Sequence, residues 1–153
     1  MAARSLAAGH HPFGAVLVLA DGETVLMEQG NVDAVNHAEA VLAREAAARF
    51  DAATLWGCTL VTTVEPCAMC AGTQYWAHVG RVVYGMPEHD LLALTGAHPE
   101  NATLDLPCRE VFARPSRTFP RSSIRRKCRS RWARRIRLRT ACCASSSSST
   151  ARS

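Results

Sequence analysis

The chain carries four side chains whose types and spacing could together hold and use a metal ion. His37 and Glu39 belong to a His-Ala-Glu motif, and Cys67 and Cys70 belong to a Pro-Cys-Ala-Met-Cys motif. A catalytic zinc site uses three nitrogen or thiolate ligands from the protein, so that water occupies the fourth position. His37, Cys67 and Cys70 form such a set, with Glu39 left over beside the water. We therefore predict a catalytic Zn²⁺ site in which Glu39 acts as the base.

The spacing within each motif predicts a helix that begins there. Pro66 is suited to the first turn of a helix, because its missing N–H would have no intrahelical partner in that turn. Cys67 and Cys70 then share one face near the helix N-terminus, where the dipole favours thiolate. Residues 38–50 are rich in Ala, Leu, Arg and Glu and predict a second helix. A lone C-x-x-C is often redox-active or half of a structural zinc site, whereas the two motifs together favour catalysis.

The order H-x-E, then P-C-x-x-C, is the signature of zinc deaminases. On these motifs the chain resembles the cytidine deaminase-like superfamily over residues 4–113, in particular its guanine deaminase and transfer-RNA adenosine deaminase branches. The resemblance implies a three-layer α/β/α sandwich with a central mixed β-sheet, and a homodimer. It also implies hydrolytic deamination, in which hydroxide attacks the amine-bearing ring carbon of a nucleobase or nucleoside. Glu39 then passes protons to the ring nitrogen and to the leaving ammonia.

Three substrate contacts are implied by the resemblance. Asn31 follows the predicted second strand, where the family's Asn hydrogen-bonds the base, although Asn is also an ordinary turn residue. The backbone N–H of Ala38 helps to hold the ring. The Tyr-Trp-Ala sequence around Trp76 resembles the guanine branch, and Trp76 either stacks on a base or packs beneath the sheet. A guanine-like purine is favoured. The alternatives are adenosine in transfer RNA, or a zinc-stabilised protein that binds nucleic acid or is inactive.

Strands that alternate with helices predict a layered α/β domain. Apolar and β-branched runs predict the strands, and the pair Asp21-Gly22 predicts a hairpin between the first two. The predicted strands are 13–20, 24–29, 59–64 and 79–85, and the predicted helical segments, besides the two at the motifs, are 4–8 and 91–94. The opening helix is shorter than is usual in the family.

Charge divides the chain near Ala113. Residues 1–113 contain five basic and all thirteen acidic residues, a formal charge of −8, whereas residues 114–153 contain thirteen basic residues and no acidic one. We predict a deaminase domain over 1–113 and a disordered, Ser-rich tail over 114–153 that contacts nucleic acid without specificity. Because the family continues with a strand and a closing helix, we hypothesise that the tail is an out-of-frame ending without that edge strand.

The remaining composition indicates a cytoplasmic protein. No run of about 18 apolar residues predicts a membrane span, and the first residues lack the apolar region of a signal peptide. The chain has seven cysteines, of which two are assigned to metal. Without an export signal, free cysteines are typical of the reducing cytoplasm.

Overall fold

The structure is a computed structural model that describes residues 1–96, 104, 106–113 and 123–126. In chain order, the elements within these residues are α1 (Ala2–Ala7), β1 (Gly14–Val18), β2 (Val25–Gly30), α2 (Ala38–Arg49), α3 (Ala52–Gly57), β3 (Thr59–Val64), α4 (Ala68–Trp76), β4 (Arg81–Met86), α5 (Glu88–Thr95), α6 (Cys108–Ala113) and β5 (Ser123–Arg126). None of the helices in this described part is long and apolar enough to cross a bilayer.

The centre of the fold is a mixed sheet in the order β2-β1-β3-β4-β5. β1 pairs antiparallel with β2 and with β3, whereas β4 lies parallel to both β3 and β5. The hairpin between β1 and β2 turns at Gly22, whose φ of +74° suits glycine. The predicted α/β class with a mixed sheet is confirmed. β1 is shorter than predicted because the residues after Val18 belong to the turn, where the Leu19 carbonyl accepts from the Gly22 N–H at 3.0 Å.

Helices cover both faces of the sheet. On one face, Ala15 and Leu17 of β1 pack with Leu42 of α2 in the main apolar cluster, and α4 lies against α2. Because side chains alternate along a strand, Gly14 faces the other side. There it lies against α1, and a Cβ at Gly14 would be 2.8 Å from the Cβ of Met1. The two helical layers with the sheet between them give the three-layer arrangement.

A second, smaller apolar cluster joins α6 to the sheet. Phe112 and Cys108 of α6 pack with Ala71 of α4 and with Val82 and Tyr84 of β4. α6 therefore lies on the same side of the sheet as the helix that carries the cysteine motif. This contact links the last described helix to the candidate site.

Three helices differ from the prediction. α3 and α6 were not predicted, and α5 is longer than the predicted turn at 91–94. The signal for α3 was local, because Asp51 caps it by accepting a hydrogen bond from the Thr54 N–H at 2.7 Å. α6 has few helix-favouring features of its own and depends on packing against α4.

The structure places a strand where the sequence predicted an unstructured tail. β5 pairs in parallel with β4, and Ser123 lies opposite Arg81. The sequence did not predict this strand, whereas the disordered tail over 114–153 stays a prediction. Backbone pairing explains the difference, since β4 presents unpaired N–H and C=O groups that a polar segment satisfies as well as an apolar one. The rest of the predicted tail lies outside the described residues.

Candidate metal centre and active site

The candidate site lies where the N-terminal ends of α2 and α4 meet. His37 is the N-cap residue of α2 and has an extended backbone, with φ −63° and ψ 149°. Cys67 is the N-cap residue of α4, with φ −64° and ψ 170°, and Cys70 follows in the first turn. The positive ends of both helix dipoles therefore face the same small volume. Such an environment suits thiolates and other anionic groups.

Pro66 does not occupy the first turn of α4, which corrects the prediction made from its sequence. α4 begins at Ala68, and Pro66 lies fully buried before the cap. An N-cap residue keeps an extended backbone while its carbonyl accepts the first helical hydrogen bond. Cys67 has this geometry, because its carbonyl accepts from the Ala71 N–H at 2.8 Å. The cysteine spacing survives because Cys67 and Cys70 still stand three residues apart.

The three predicted ligand side chains come together. The Nδ1 atom of His37 lies 3.6 Å from the Sγ of Cys67 and 3.5 Å from the Sγ of Cys70. A tetrahedral zinc ion at ordinary Zn–N and Zn–S distances would hold such atoms about 3.6 Å apart. The cluster therefore fits zinc. Among the His, Cys, Asp and Glu side chains of the described residues, these three lie close enough together to bind one ion.

The two thiols titrate as a pair. The Cys70 thiol hydrogen-bonds to the sulfur of Cys67 and lowers the pKa of Cys67 to about 4. The same contact, with burial and the nearby Glu39 carboxylate, raises the pKa of Cys70. The hydrogen bond to Cys67 also raises the pKa of His37. The contact between the two sulfurs therefore favours the thiolate at Cys67 over that at Cys70, whereas a bound zinc ion would deprotonate both.

Glu39 lies beside the cluster and is buried. Its Oε2 atom is 3.7 Å from the Sγ of Cys70, and its Oε1 atom accepts a hydrogen bond from the Thr62 hydroxyl. Only 6% of Glu39 is exposed. The carboxylate is thus close to the candidate metal position, where a proton carrier for bound water must stand.

Asn31 is buried at the end of β2 with one polar atom left over. Its backbone N–H donates to the Phe13 carbonyl at 3.1 Å, and its Nδ2 donates to the Asp33 carbonyl at 3.3 Å. Its Oδ1 is buried without a hydrogen-bond partner among the described residues. Buried polar atoms are almost always satisfied, so this acceptor is suited to a donor from a ligand.

A polar loop connects Asn31 to His37. The Oδ1 of Asp33 accepts from the N–H groups of Val35 and Asn36, at 2.8 and 2.6 Å. The side chain of Asn36 donates to Asp33 and is held in turn by Arg44 of α2 at 2.9 Å. The hydrogen bonds from Asn36 and Val35 lower the pKa of Asp33 to about 2. The loop thus holds its shape through an ionised carboxylate.

The other two predicted substrate contacts lie in different settings. Ala38 is the first residue of α2, where a backbone N–H has no intrahelical partner and is free for a ligand. Trp76 is the last residue of α4 and is 76% exposed, so the alternative that it packs beneath the sheet is wrong. Six residues of helix, a rise of roughly 9 Å, separate it from Cys70. The structure does not bring Trp76 to the cluster.

Two residues at the site were not singled out in the sequence. Thr62 of β3 contacts Glu39, and Glu65, only 4% exposed, lies between β3 and Pro66. For Thr62 the signal was its alternation with Leu60, which is buried on the same face. For Glu65 the signal was its position beside the cysteine motif. Its partners, the N–H groups of Glu88 and Cys108, are too distant in sequence to be predicted.

A family model for the cytidine and deoxycytidylate deaminase zinc-binding region matches residues 1–86. The chain belongs to this deaminase family. The matched residues include both motifs of the site. The zinc-binding region of the family and the His37, Cys67 and Cys70 cluster together confirm Zn²⁺ as the cofactor that fits this deaminase domain.

The relatives of this deaminase domain are named for different substrates. It is 34% identical over 113 residues to a probable cytosine deaminase of Schizosaccharomyces pombe, covering 71% of this chain and 67% of that protein. It is 41% identical over 83 residues to guanine deaminase of Bacillus subtilis, covering 52% and 53%. It is 37% identical over 81 residues to tRNA-specific adenosine deaminase of the same organism, covering 50% of each. The chain thus spans about half the length of the last two.

Solved structures share the fold of the deaminase domain. The guanine deaminase from Nitrosomonas europaea is 26% identical with a TM-score of 0.56, over 82% of this chain and 69% of that one. A mutant of the protein NE0047 in complex with 8-azaguanine is 29% identical with a TM-score of 0.54, over 65% of this chain and 63% of that one. The family model and the named relatives show a family of hydrolytic deaminases. The structural neighbours include a complex with a nucleobase analogue.

Proposed function

We propose that this chain is a zinc-dependent hydrolytic deaminase of a nucleobase or nucleoside, with a guanine-like purine as its substrate. The observation that carries the proposal is the cluster at the ends of α2 and α4. The Nδ1 atom of His37 lies 3.6 Å from the Sγ of Cys67 and 3.5 Å from the Sγ of Cys70. The Oε2 atom of Glu39 lies 3.7 Å from the Sγ of Cys70. Three ligands and an adjacent carboxylate match a catalytic site better than a structural one, which uses four ligands.

Each of the four residues has a defined role in this proposal. His37, Cys67 and Cys70 hold zinc, which when bound lowers the pKa of water and supplies a nucleophile near neutral pH. Glu39 accepts a proton at Oε2 and returns it to the ring nitrogen next to the attacked carbon. As the ring carbonyl forms, Glu39 takes a second proton from the added hydroxyl and gives it to the amine, which departs as ammonia. Because Glu39 is buried, bulk water does not compete for that proton.

Asn31 and Ala38 are proposed to hold the base. The buried Oδ1 of Asn31 accepts a hydrogen bond from a ring or amino N–H group, and the Ala38 N–H donates to a ring acceptor. Guanine offers both kinds of group on its edges. Trp76, exposed at the far end of α4, is not assigned a contact with the base. A purine can therefore bind both the Asn31 Oδ1 and the Ala38 N–H.

The guanine preference is supported by two similarities. The Bacillus subtilis guanine deaminase is 41% identical to this chain, and a structural neighbour binds 8-azaguanine. The match to tRNA-specific adenosine deaminase, at 37% identity, favours adenosine in transfer RNA as the second candidate. In that case the basic residues of 114–153 would contact phosphates.

A substrate panel tests the proposal. We expect the zinc-loaded full chain to release ammonia fastest from guanine, compared with cytosine, cytidine and an adenosine-containing anticodon-loop RNA. Glu39→Gln should retain one zinc per chain but lower turnover by about 10²- to 10⁴-fold, since it removes the proton carrier. Glu45→Gln, on the exposed side of the same helix, is the matched control and should keep full activity.

Three outcomes separate the alternatives. Fastest release from the RNA would replace guanine by adenosine in transfer RNA. Equal turnover by wild type and Glu39→Gln would overturn the assignment of the base. The nucleic-acid-binding alternative would be favoured by full zinc occupancy without release from any substrate, together with salt-sensitive RNA binding that is lost on deletion of residues 127–153, which leaves β5 in place.

We further propose that the protein is a cytoplasmic homodimer. Met69 and Trp76 of α4 are seven residues apart, so they lie on one helix face, and they are 39% and 76% exposed. A second copy of the chain would cover this face. The cysteines of the described residues are free, as in a reducing compartment. Light scattering on the purified chain should give twice the monomer mass, and Trp76→Glu should lower it.

A further inference from the structure

A single buried hydrogen bond ties the candidate base to the centre of the sheet. The hydroxyl of Thr62 donates to Oε1 of Glu39, and the two residues are 5% and 6% exposed. Thr62 is held on both sides, because β3 pairs with Ala15 of β1 and with Tyr84 of β4 at this position. The donor therefore projects from one of the most constrained backbone positions of the fold.

The two oxygens of Glu39 have different surroundings. Oε1 receives the Thr62 hydroxyl, whereas Oε2 lies 3.7 Å from the Sγ of Cys70, on the side of the candidate metal. The terminal torsion of a glutamate is soft, so packing alone does not choose which oxygen faces the metal. An ionised carboxylate accepts only, and the threonine hydroxyl has one proton to donate. This hydrogen bond therefore selects the orientation of the carboxylate.

We propose that Thr62 is a positioning residue that holds Glu39 with Oε2 directed to the reacting water. This inference rests on the proposed function, because it assigns Thr62 a task in the same proton transfer. Loss of the hydroxyl would let the carboxylate rotate and would leave Oε1 buried without its donor. The proton would then be collected from a less favourable position, although the metal ligands and the substrate contacts would be untouched.

The chain offers a matched set of variants. Thr62→Val keeps the shape and removes the donor, and Thr62→Ser restores the hydroxyl. Thr63 is the control, because it is the next residue of β3 and faces the opposite side of the sheet. There its Oγ1 accepts from the Gly14 N–H at 3.2 Å. Thr63→Val therefore removes a threonine hydroxyl from the same strand without contact to Glu39.

Kinetics on the zinc-loaded full chain provide the first test. Thr62→Val should lower kcat by about 10- to 100-fold with KM and zinc content nearly unchanged, because misplacement of a catalytic group acts on the chemical step. Thr62→Ser should recover most of kcat, and Thr63→Val should retain it. An unchanged kcat in Thr62→Val, or an equal loss in Thr62→Ser or Thr63→Val, would overturn the inference.

A second measurement does not depend on turnover. The ¹³C resonance of the Glu39 carboxylate, identified by its loss in Glu39→Gln, should shift in Thr62→Val and keep its position in Thr62→Ser and Thr63→Val. A resonance that does not respond to Thr62→Val would refute the hydrogen bond. If the resonance responds while wild type deaminates no substrate, the positioning contact stands and the proposed function fails.

Discussion

At the scale of single residues, the site is defined by a few buried polar atoms with specific neighbours. His37, Cys67 and Cys70 present one nitrogen and two sulfurs at the spacing of a zinc site, and Glu39 is held beside them. Asn31 is different, because its Oδ1 is buried with no partner among the described residues. An atom in that condition costs stability unless a ligand satisfies it. The binding of substrate is therefore expected to depend on this oxygen.

Asn31→Ala should raise KM about fivefold while kcat changes little, since one neutral hydrogen bond contributes about 1 kcal/mol. Steady-state kinetics with the best substrate of the panel provide the measurement. Asn31→Asp serves as the comparison, because it keeps an oxygen acceptor but removes the Nδ2 donor to the Asp33 carbonyl. If both variants raise KM equally, the role of Asn31 is to shape the loop and not to contact substrate.

At the scale of elements, Glu65 connects the cysteine helix to the helices that follow it. Its Oε2 accepts from the N–H of Glu88, the first residue of α5, at 3.3 Å. Its Oε1 accepts from the N–H of Cys108, the first residue of α6, at 3.2 Å. Burial, and then the contact with Glu65, raises the pKa of the Cys108 thiol. One carboxylate therefore caps two helices from the segment that leads to the metal ligands.

Glu65→Ala should lower the free energy of unfolding by about 1–3 kcal/mol, because it removes the acceptor of the buried Cys108 N–H. Glu65→Gln keeps one acceptor oxygen, so its free energy of unfolding should fall by less. Chemical denaturation of the zinc-loaded protein measures both. Glu45→Ala removes an exposed ion pair with Arg49 and should cost well under 1 kcal/mol. A cost for Glu65→Ala no larger than that of Glu45→Ala would contradict the capping role.

At the scale of the whole molecule, the cluster joins parts of the chain that the sheet alone does not connect. His37 precedes α2, the cysteines begin α4, and the two helices pack side by side on one face of the sheet. A ligand that binds only the folded state stabilises it by about 2.7 kcal/mol when the free ligand concentration is 100 times the dissociation constant. Zinc should therefore contribute to the stability of the domain as well as to chemistry.

Removal of zinc by a chelator should lower Tm by about 10 °C, a shift of the size that 2–3 kcal/mol produces in a small domain. It should also expose Cys67 to alkylation at neutral pH, because the pKa of that thiol is about 4. Cys58, whose pKa is raised by burial, is the internal control and should stay unmodified. Calorimetry and peptide mass mapping provide the two readings. An unchanged Tm, together with the same alkylation of Cys67 before and after the chelator is added, would show that zinc does not bind at the cluster.

The sequence by itself determined the local features of this protein. The His-Ala-Glu and Cys-Ala-Met-Cys motifs predicted the ligand set, and the predicted bounds of β3 agree with Thr59–Val64. These features follow from side-chain chemistry, spacing and periodicity within a few residues. The α2 helix was predictable for the same reason, since its composition favours a helix over its whole length.

The tertiary structure alone decided which distant residues meet. Thr62 reaches Glu39 across 23 positions, and Glu65 reaches Cys108 across 43. It also decided that Trp76 points to solvent and that a polar segment of the tail pairs with β4. Such contacts depend on the order of strands in the sheet and on the face that each helix covers. No short-range pattern encodes that order, because it follows from the packing of the whole domain.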